Sequence, residues 1–146
     1  MEDCIFCKIA KGEIPCIKIH EEESFISFMD IFPPTYDGEI TMPTVLITTK
    51  KHLGSNVFED LSEEEYNSLL NYTRKISKAI QKGLNPLRVC LVFEGIEIDH
   101  IHSKLYPIFS SSYPGYLSTE KSPGNKDVLA PKECLEEYAS KIKKYL

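Results

Sequence analysis

The sequence predicts an α+β fold with a mostly antiparallel sheet, one long helix packed on that sheet, and a C-terminal helix. Two early segments alternate apolar and polar residues with the two-residue period of a hairpin. In a long segment in mid-chain, the apolar residues instead recur at the spacing of an amphipathic helix. The predicted elements follow the order hairpin, strand, helix, two further strands and helix, which is typical of this fold class.

The N-terminal third is predicted to contain a short helix and two paired strands. Gly12 stops the helix, and Pro33 prevents the second strand from continuing. The following β-branched, apolar segment suits a central strand. The helix is predicted at residues 7–10 and the two paired strands at 17–19 and 25–29. An irregular loop is predicted at 33–43 and the central strand at 45–49.

The clearest helix begins at Ser62, whose hydroxyl can accept the backbone N–H of Glu65 while the Glu65 side chain reaches back in a capping box. Apolar residues at helical spacing follow, and Gly83 is predicted to end the helix in a left-handed conformation. The next strand is expected to be buried, and the later loop to form a packed surface segment or a mobile flap. Two strands are predicted after the helix, at residues 89–93 and 100–108. The loop is predicted at residues 110–124, and the last helix from Pro131 onward.

The composition limits the class of protein. With 146 residues, 42% of them hydrophobic, the chain is expected to form a single domain over residues 1–146. A formal net charge of -5 argues against binding to a nucleic acid polymer, which usually requires a basic surface. No apolar run approaches the ~20 residues of a membrane span, and five cysteines, an odd number, do not suit a disulfide framework. We therefore expect a soluble, cytoplasmic protein without membrane partners.

Four widely spaced side chains form a candidate metal site. Cys4 and Cys7 form a Cys-x-x-Cys pair, His52 follows the central strand, and His100 begins the strand at 100–108. Cysteine and histidine are the usual ligands of tetrahedral zinc, and a closed Cys2His2 set indicates a structural ion. His20 in place of His52 is a less favoured alternative because it lies among acidic residues. The competing interpretation is a pair of buried thiols and a solvated histidine face.

His100, His102 and Lys104 are predicted to share one face of a strand, because side chains alternate and α-carbons two residues apart are roughly 7 Å apart. A neutral imidazole can attack phosphorus and divide a difficult substitution into two steps, so His102 is the predicted nucleophile. The Lys104 ammonium would stabilise charge on the phosphate oxygens. The alternative for Lys104 is an ordinary surface lysine.

Several motifs in the same order resemble the histidine triad (HIT) family of nucleotide hydrolases and transferases, in its zinc-containing branch. They are Asp3-Cys4-Ile5-Phe6-Cys7-Lys8-Ile9, Gly12-Glu13-Ile14-Pro15, Phe28-Met29-Asp30-Ile31, Lys50-Lys51-His52 and His100-Ile101-His102. The resemblance covers residues 3–109 and leaves 110–146 outside it. It implies a HIT-like fold, a homodimer, zinc at the four positions named above, and attack on the α-phosphorus of a nucleotide by the middle histidine, here His102.

The resemblance also implies a nucleotide pocket. Phe6, Ile9, Phe28 and Ile31 would line the pocket for base and sugar, and the Asp30 carboxylate would accept hydrogen bonds from the ribose hydroxyls. The same apolar residues could instead belong to the core, and Asp30 could cap a turn.

The sequence departs from the family pattern at several positions. The third histidine falls on Lys104, Thr44 stands where a glycine-histidine pair usually supplies another imidazole, Phe93 replaces an asparagine, and the polar segment at 94–99 is short. These changes remove phosphate and leaving-group contacts. The leading interpretation is a hydrolase of nucleotidyl conjugates, of phosphoramidate or dinucleoside polyphosphate type, acting through a nucleotidyl-histidine. The alternatives are a nucleotidyltransferase, a catalytically weak nucleotide-binding regulatory module, and a structural protein held together by zinc.

Overall fold

The computed structural model of the chain describes residues 4–36, 39–110 and 129–146. Its elements are α1 (Ile5–Ala10), β1 (Lys18–Glu21), β2 (Phe25–Met29), β3 (Thr35–Tyr36), β4 (Glu39–Ile40), β5 (Val45–Thr49), α2 (Glu63–Leu84), β6 (Arg88–Val92), β7 (His102–Ile108) and α3 (Lys132–Lys143). The β3–β4 hairpin interrupts the predicted loop at 33–43, and most of the predicted loop at 110–124 lies outside the described residues. None of the described helices combines the length and apolar content that crossing a bilayer requires.

Five strands form one antiparallel sheet in the order β1-β2-β5-β7-β6. The register places Thr48 opposite His102, and it places Leu46 opposite both Phe28 and Lys104. Directly opposed residues point to the same face of a sheet, so these side chains form two neighbouring rows across its centre. The prediction of an α+β fold with a mostly antiparallel sheet is confirmed.

The two faces of the sheet are covered differently. Helices α2 and α3 pack on one face, where Val45 and Leu105 join the main core. The short helix α1 packs on the other face through Phe6. Because side chains alternate along β7, His102 and Lys104 point to this second face. We call it the site face and define it by Ile26, Phe28, Leu46, Thr48, His102 and Lys104.

The end of α2 differs from the prediction. Gly83 lies inside the helix, and Asn85 adopts the left-handed conformation with φ of 51°. Asparagine tolerates this conformation better than most residues, so it ends the helix as a glycine would. Gly83 has another role, because a Cβ atom there would lie 2.5 Å from the carbonyl oxygen of Lys141 on α3.

Two strand predictions are also corrected. β6 was expected to be buried, but it is an edge strand in which Leu91 is 41% exposed. An edge strand lacks one neighbour, so a run of apolar residues there does not guarantee burial. β7 begins at His102 rather than at His100, because the His100 amide donates to the carbonyl of Ile98 in a tight turn.

Candidate active site and metal centre

The four predicted metal ligands lie together although they are far apart in sequence. Their ligand atoms all lie within 4.8 Å of one another. The Sγ atom of Cys4 is 3.2 Å from Nδ1 of His100, and the Sγ atom of Cys7 is 3.3 Å from Nδ1 of His52. The alternative ligand His20 is not in this cluster; it lies on β1, with its Nε2 atom 2.8 Å from a lysine ammonium.

The chemistry of the cluster fits a zinc ion. In a tetrahedral Cys2His2 site the sulfur and nitrogen ligand atoms are about 3.6 Å apart, close to the distances above. The Nε2 atom of His100 is 2.9 Å from the carbonyl oxygen of Thr49, which can only accept, so Nδ1 of the neutral ring keeps its lone pair for the ion. Burial raises the pKa of the Cys7 thiol, and the adjacent Cys4 adds to this increase. A cation between the two sulfurs would stabilise both thiolates against this effect.

The His102 ring has a fixed orientation on the site face. The residue is 7% exposed, and its ring centroid lies 4.8 Å from that of Phe6. Its Nδ1 atom is 2.7 Å from the carbonyl oxygen of His100, so Nδ1–H donates and the lone pair of the neutral ring is at Nε2. Burial lowers the pKa of His102 and favours the neutral form. A neutral imidazole with one lone pair in a fixed direction has the form required of a nucleophile.

Lys104 follows His102 on the site face and lies between two carboxyl groups. Its Nζ atom is 2.9 Å from Oε2 of Glu94 and 3.9 Å from Oδ2 of Asp30. The other oxygen of Glu94 accepts a hydrogen bond of 2.9 Å from the Tyr106 hydroxyl. Burial opposes ionisation of Glu94, but Lys104 and Tyr106 outweigh it and lower the pKa of this carboxyl. Lys104 is therefore not an ordinary surface lysine, since its side chain is only 21% exposed.

The residues predicted to line a nucleotide pocket differ in exposure. Phe6, Ile9 and Phe28 are buried in one apolar cluster on the site face. Ile31 is 44% exposed. The cluster is separate from the main core, so Phe6, Ile9 and Phe28 form a small second core between α1 and the site face of the sheet.

Asp30 is held in place by a turn. It is 7% exposed, and its Oδ1 atom accepts the backbone N–H of Phe32 at 2.9 Å. Burial raises the pKa of Asp30, while the Phe32 hydrogen bond and the Lys104 ammonium oppose this shift. Asp30 does cap a turn, and its second oxygen faces Lys104.

Two departures from the family pattern have clear structural consequences. Thr44 is fully buried and donates its hydroxyl to the carbonyl of Met42 at 2.9 Å. Phe93 packs against the main core, on the side of the sheet opposite His102. Neither residue therefore offers a polar group to an anion at His102.

Glu94 and Tyr106 were not predicted as site residues. The signal that could have found them is the pairing of β6 with β7, in which Val92 stands opposite Lys104 and Cys90 opposite Tyr106. Side chains of even-numbered residues of β6 therefore share the site face, and Glu94 continues that series past the end of the strand.

The chain is similar to known proteins over most of its length. Residues 3–103 match the family model described as scavenger mRNA decapping enzyme C-term binding. The adenosine 5'-monophosphoramidase hnt1 of Schizosaccharomyces pombe is 32% identical over 148 residues, covering 96% of this chain and 98% of that protein. The chain belongs to the histidine triad family.

Solved structures of HIT proteins have the same fold. A Hit-like protein from Bartonella henselae superposes with a TM-score of 0.78 at 25% identity, covering 100% of this chain and 98% of its own. A Zn-bound histidine triad protein from Mycobacterium smegmatis superposes with a TM-score of 0.69 at 22% identity, covering 99% of this chain and 93% of its own. At 22% identity, the similarity to the Mycobacterium smegmatis protein shows that the two chains share a fold.

Proposed function

We propose that this HIT protein is a nucleotide hydrolase that cleaves nucleotidyl conjugates between the α-phosphorus and the leaving group. The substrates are of phosphoramidate or dinucleoside polyphosphate type, and the reaction passes through a nucleotidyl-histidine at His102. The observation that carries the proposal is the hydrogen bond of 2.7 Å from Nδ1 of His102 to the His100 carbonyl, which leaves Nε2 as the nucleophilic atom. The activity named for the Schizosaccharomyces pombe relative supports the phosphoramidate class.

The reaction consists of two displacements at the same phosphorus. In the first, the Nε2 lone pair of His102 forms a bond to phosphorus, and the bond to the leaving group breaks with its electron pair on the leaving atom. An amine leaving group takes up a proton from solvent. In the second, water attacks phosphorus, the P–Nε2 bond breaks, the nucleoside monophosphate is released, and the water proton goes to solvent. One water molecule is consumed in each cycle.

The remaining predicted residues bind and orient the nucleotide. The Lys104 ammonium stabilises the charge on the non-bridging phosphate oxygens, and the Asp30 carboxyl accepts hydrogen bonds from the ribose hydroxyls. The base and sugar lie against Phe6, Ile9, Phe28 and Ile31.

Cys4, Cys7, His52 and His100 would hold a zinc ion of structural character. Four protein ligands would close the coordination sphere, so a bound ion would supply folding energy rather than an activated water. The cluster of ligand atoms within 4.8 Å supports this assignment. Anchoring His100 in this way would also fix the carbonyl that orients the neighbouring histidine.

A nucleotide-binding regulatory module with weak catalysis is the second candidate. It is favoured by the pairing of Lys104 with Glu94 and by Phe93, which removes a polar group from the site. Nucleotidyl transfer shares the first displacement and differs only in the acceptor. Competition between water and added acceptors distinguishes transfer from hydrolysis.

The test is to trap the intermediate. Protein is mixed with an adenosine 5'-phosphoramidate labelled at phosphorus, denatured without acid because P–N bonds are acid-labile, and assayed for protein-bound label and released AMP. His102→Ala should lose the bound label and at least about 10³-fold in kcat. His20→Gln is the matched control, since His20 lies on the edge strand β1 and outside the site.

Equal AMP release by the wild type and His102→Ala would refute the mechanism. Nucleotide binding by calorimetry without label or release would establish the regulatory module instead. A thermal titration without any nucleotide-dependent shift would favour the structural protein, since a ligand that binds only the folded state must stabilise it.

Three further proposals concern the whole protein. We expect a homodimer, because members of the family that the sequence resembles often form homodimers. We expect a cytoplasmic location, in keeping with five cysteines, an odd number that does not suit a disulfide framework. We expect a small nucleotide as the partner rather than a nucleic acid polymer, in keeping with the formal net charge of -5.

A further inference from the structure

The strand order spreads the functional groups of the site face along a line. The apolar cluster that contains Phe28, where we propose that the base binds, lies over β2, and His102 lies two strands further on, in β7. β6 is the next strand and the edge of the sheet, and Glu94 follows it directly. A nucleotide with its base over β2 and its phosphorus at His102 therefore extends its leaving group toward β6 and Glu94.

The Glu94 carboxylate is held by two bonds. Its Oε2 atom is 2.9 Å from Nζ of Lys104, and its Oε1 atom accepts from the Tyr106 hydroxyl at 2.9 Å. The side chain is nevertheless 33% exposed, so a bound molecule can reach it. Both contacts also favour the ionised form of the carboxyl.

We infer that Glu94 is a specificity-determining residue that selects conjugates whose leaving group is an amine carrying a further positive charge. This inference rests on the proposed function and names the substrate class within it. Cleavage is then the P–N displacement described above, and the additional cation of the leaving group pairs with Glu94 while the phosphate binds Lys104.

The charge distribution supports this choice over an anionic leaving group. One ammonium, Lys104, lies between the carboxyl groups of Glu94 and Asp30. A phosphate that binds Lys104 withdraws it from Glu94, and no other ion pair of that carboxylate is found within residues 4–36, 39–110 and 129–146. A cationic leaving group restores the pair, whereas a polyphosphate brings more negative charge to the same place and is repelled.

The experiment compares three adenosine 5'-phosphoramidates of equal length. Their amines are 1,3-diaminopropane, butylamine and β-alanine, which end in an ammonium, a methyl group and a carboxylate. We expect kcat/KM of the wild type to fall in that order, with about a tenfold span, defined as the ratio between the first and the last substrate. Partly exposed charge pairs change affinities by about this factor. Glu94→Gln should reduce the span to about twofold, and the exposed Glu59→Gln, with the same change of net charge, should preserve it.

A second measurement needs no variant. Raising the salt concentration from about 20 to about 500 mM should shrink the wild-type span several-fold, because screening weakens charge pairs. Equal kcat/KM for the three substrates, a span that survives Glu94→Gln, or a span insensitive to salt would overturn the inference while leaving the hydrolase intact. Failure to release AMP from any of the three, without His102-dependent label, would instead refute the proposed function.

Discussion

One backbone carbonyl determines which nitrogen of His102 can react. The oxygen of His100 lies 2.7 Å from Nδ1 and can only accept, so the proton of the neutral ring is at Nδ1. His100 thus contributes its side chain to the candidate metal cluster and its carbonyl oxygen to the hydrogen bond that orients the His102 ring. A change that moves His100 should therefore affect both the cluster and the orientation of that ring.

Lys104 is predicted to bind the phosphate more strongly in the transition state than in the bound substrate. Lys104→Gln should lower kcat by about 10²-fold, the usual cost of removing one donor to a developing oxyanion, with a smaller change in KM. Lys104→Arg keeps the charge and should recover much of kcat. The measurement is steady-state kinetics with an adenosine 5'-phosphoramidate.

Lys51→Gln is the control for this series, because Lys51 is an exposed lysine that pairs with Glu65 at 3.3 Å near the start of α2. It should leave kcat within about twofold of the wild type. If Lys104→Gln behaved in the same way, Lys104 would serve only the ion pair with Glu94.

Alternation along one strand was sufficient to place His102 and Lys104 on a common face. The partners of these side chains could not be predicted in the same way. Glu94 reaches Lys104 only because β6 pairs with β7 in a particular register, and register depends on contacts between segments that the local pattern does not contain. The tautomer of His102 likewise depends on a backbone atom.

The long helix α2 was predictable at its start and not at its end. The capping box of Ser62 and Glu65 is present, with both reciprocal hydrogen bonds. At the other end, Gly83 and Asn85 are both residues that tolerate left-handed φ, and the local sequence does not decide between them. The packing of α3 decides, since it brings the Lys141 backbone against Gly83 and keeps that residue helical.

Gly83→Ala provides a test of this helix contact. In an exposed helix the change would stabilise the protein by up to about 1 kcal/mol. Here the new Cβ would lie 2.5 Å from the Lys141 carbonyl oxygen, and backbone atoms cannot move aside easily. We expect a net loss of about 1–3 kcal/mol in the free energy of unfolding, measured by urea denaturation.

The exposed Lys82→Ala, one position earlier on the same helix, should change the unfolding free energy by less than about 0.5 kcal/mol. A stabilised Gly83→Ala would show that α2 and α3 do not approach this closely. The burial of β6 could not be predicted from its apolar composition. β6 is an edge strand, and a further neighbouring strand would be needed to cover it.

At the scale of the whole molecule, the candidate metal cluster brings together segments that are far apart in the sequence. Cys4 lies at the N-cap of α1 and Cys7 within this helix, which packs on the site face, while His52 follows β5 and His100 precedes β7. The residue types alone predict that these side chains lie together, because structural zinc sites use four cysteine and histidine ligands. Hydrophobic patterning alone gives no such link across 96 residues of separation.

Cys4→Ser should therefore release zinc and loosen α1 from the sheet. We expect metal analysis to fall from about one zinc per chain toward zero, and Tm to fall by about 5–10 °C, because zinc binding free energy in a closed site is folding free energy. Cys134→Ser is the matched control, since Cys134 is an exposed cysteine on α3 outside the cluster. Equal zinc content and Tm in the two variants would show that the four side chains converge for another reason, and α1 would then be held by Phe6 and its apolar neighbours alone.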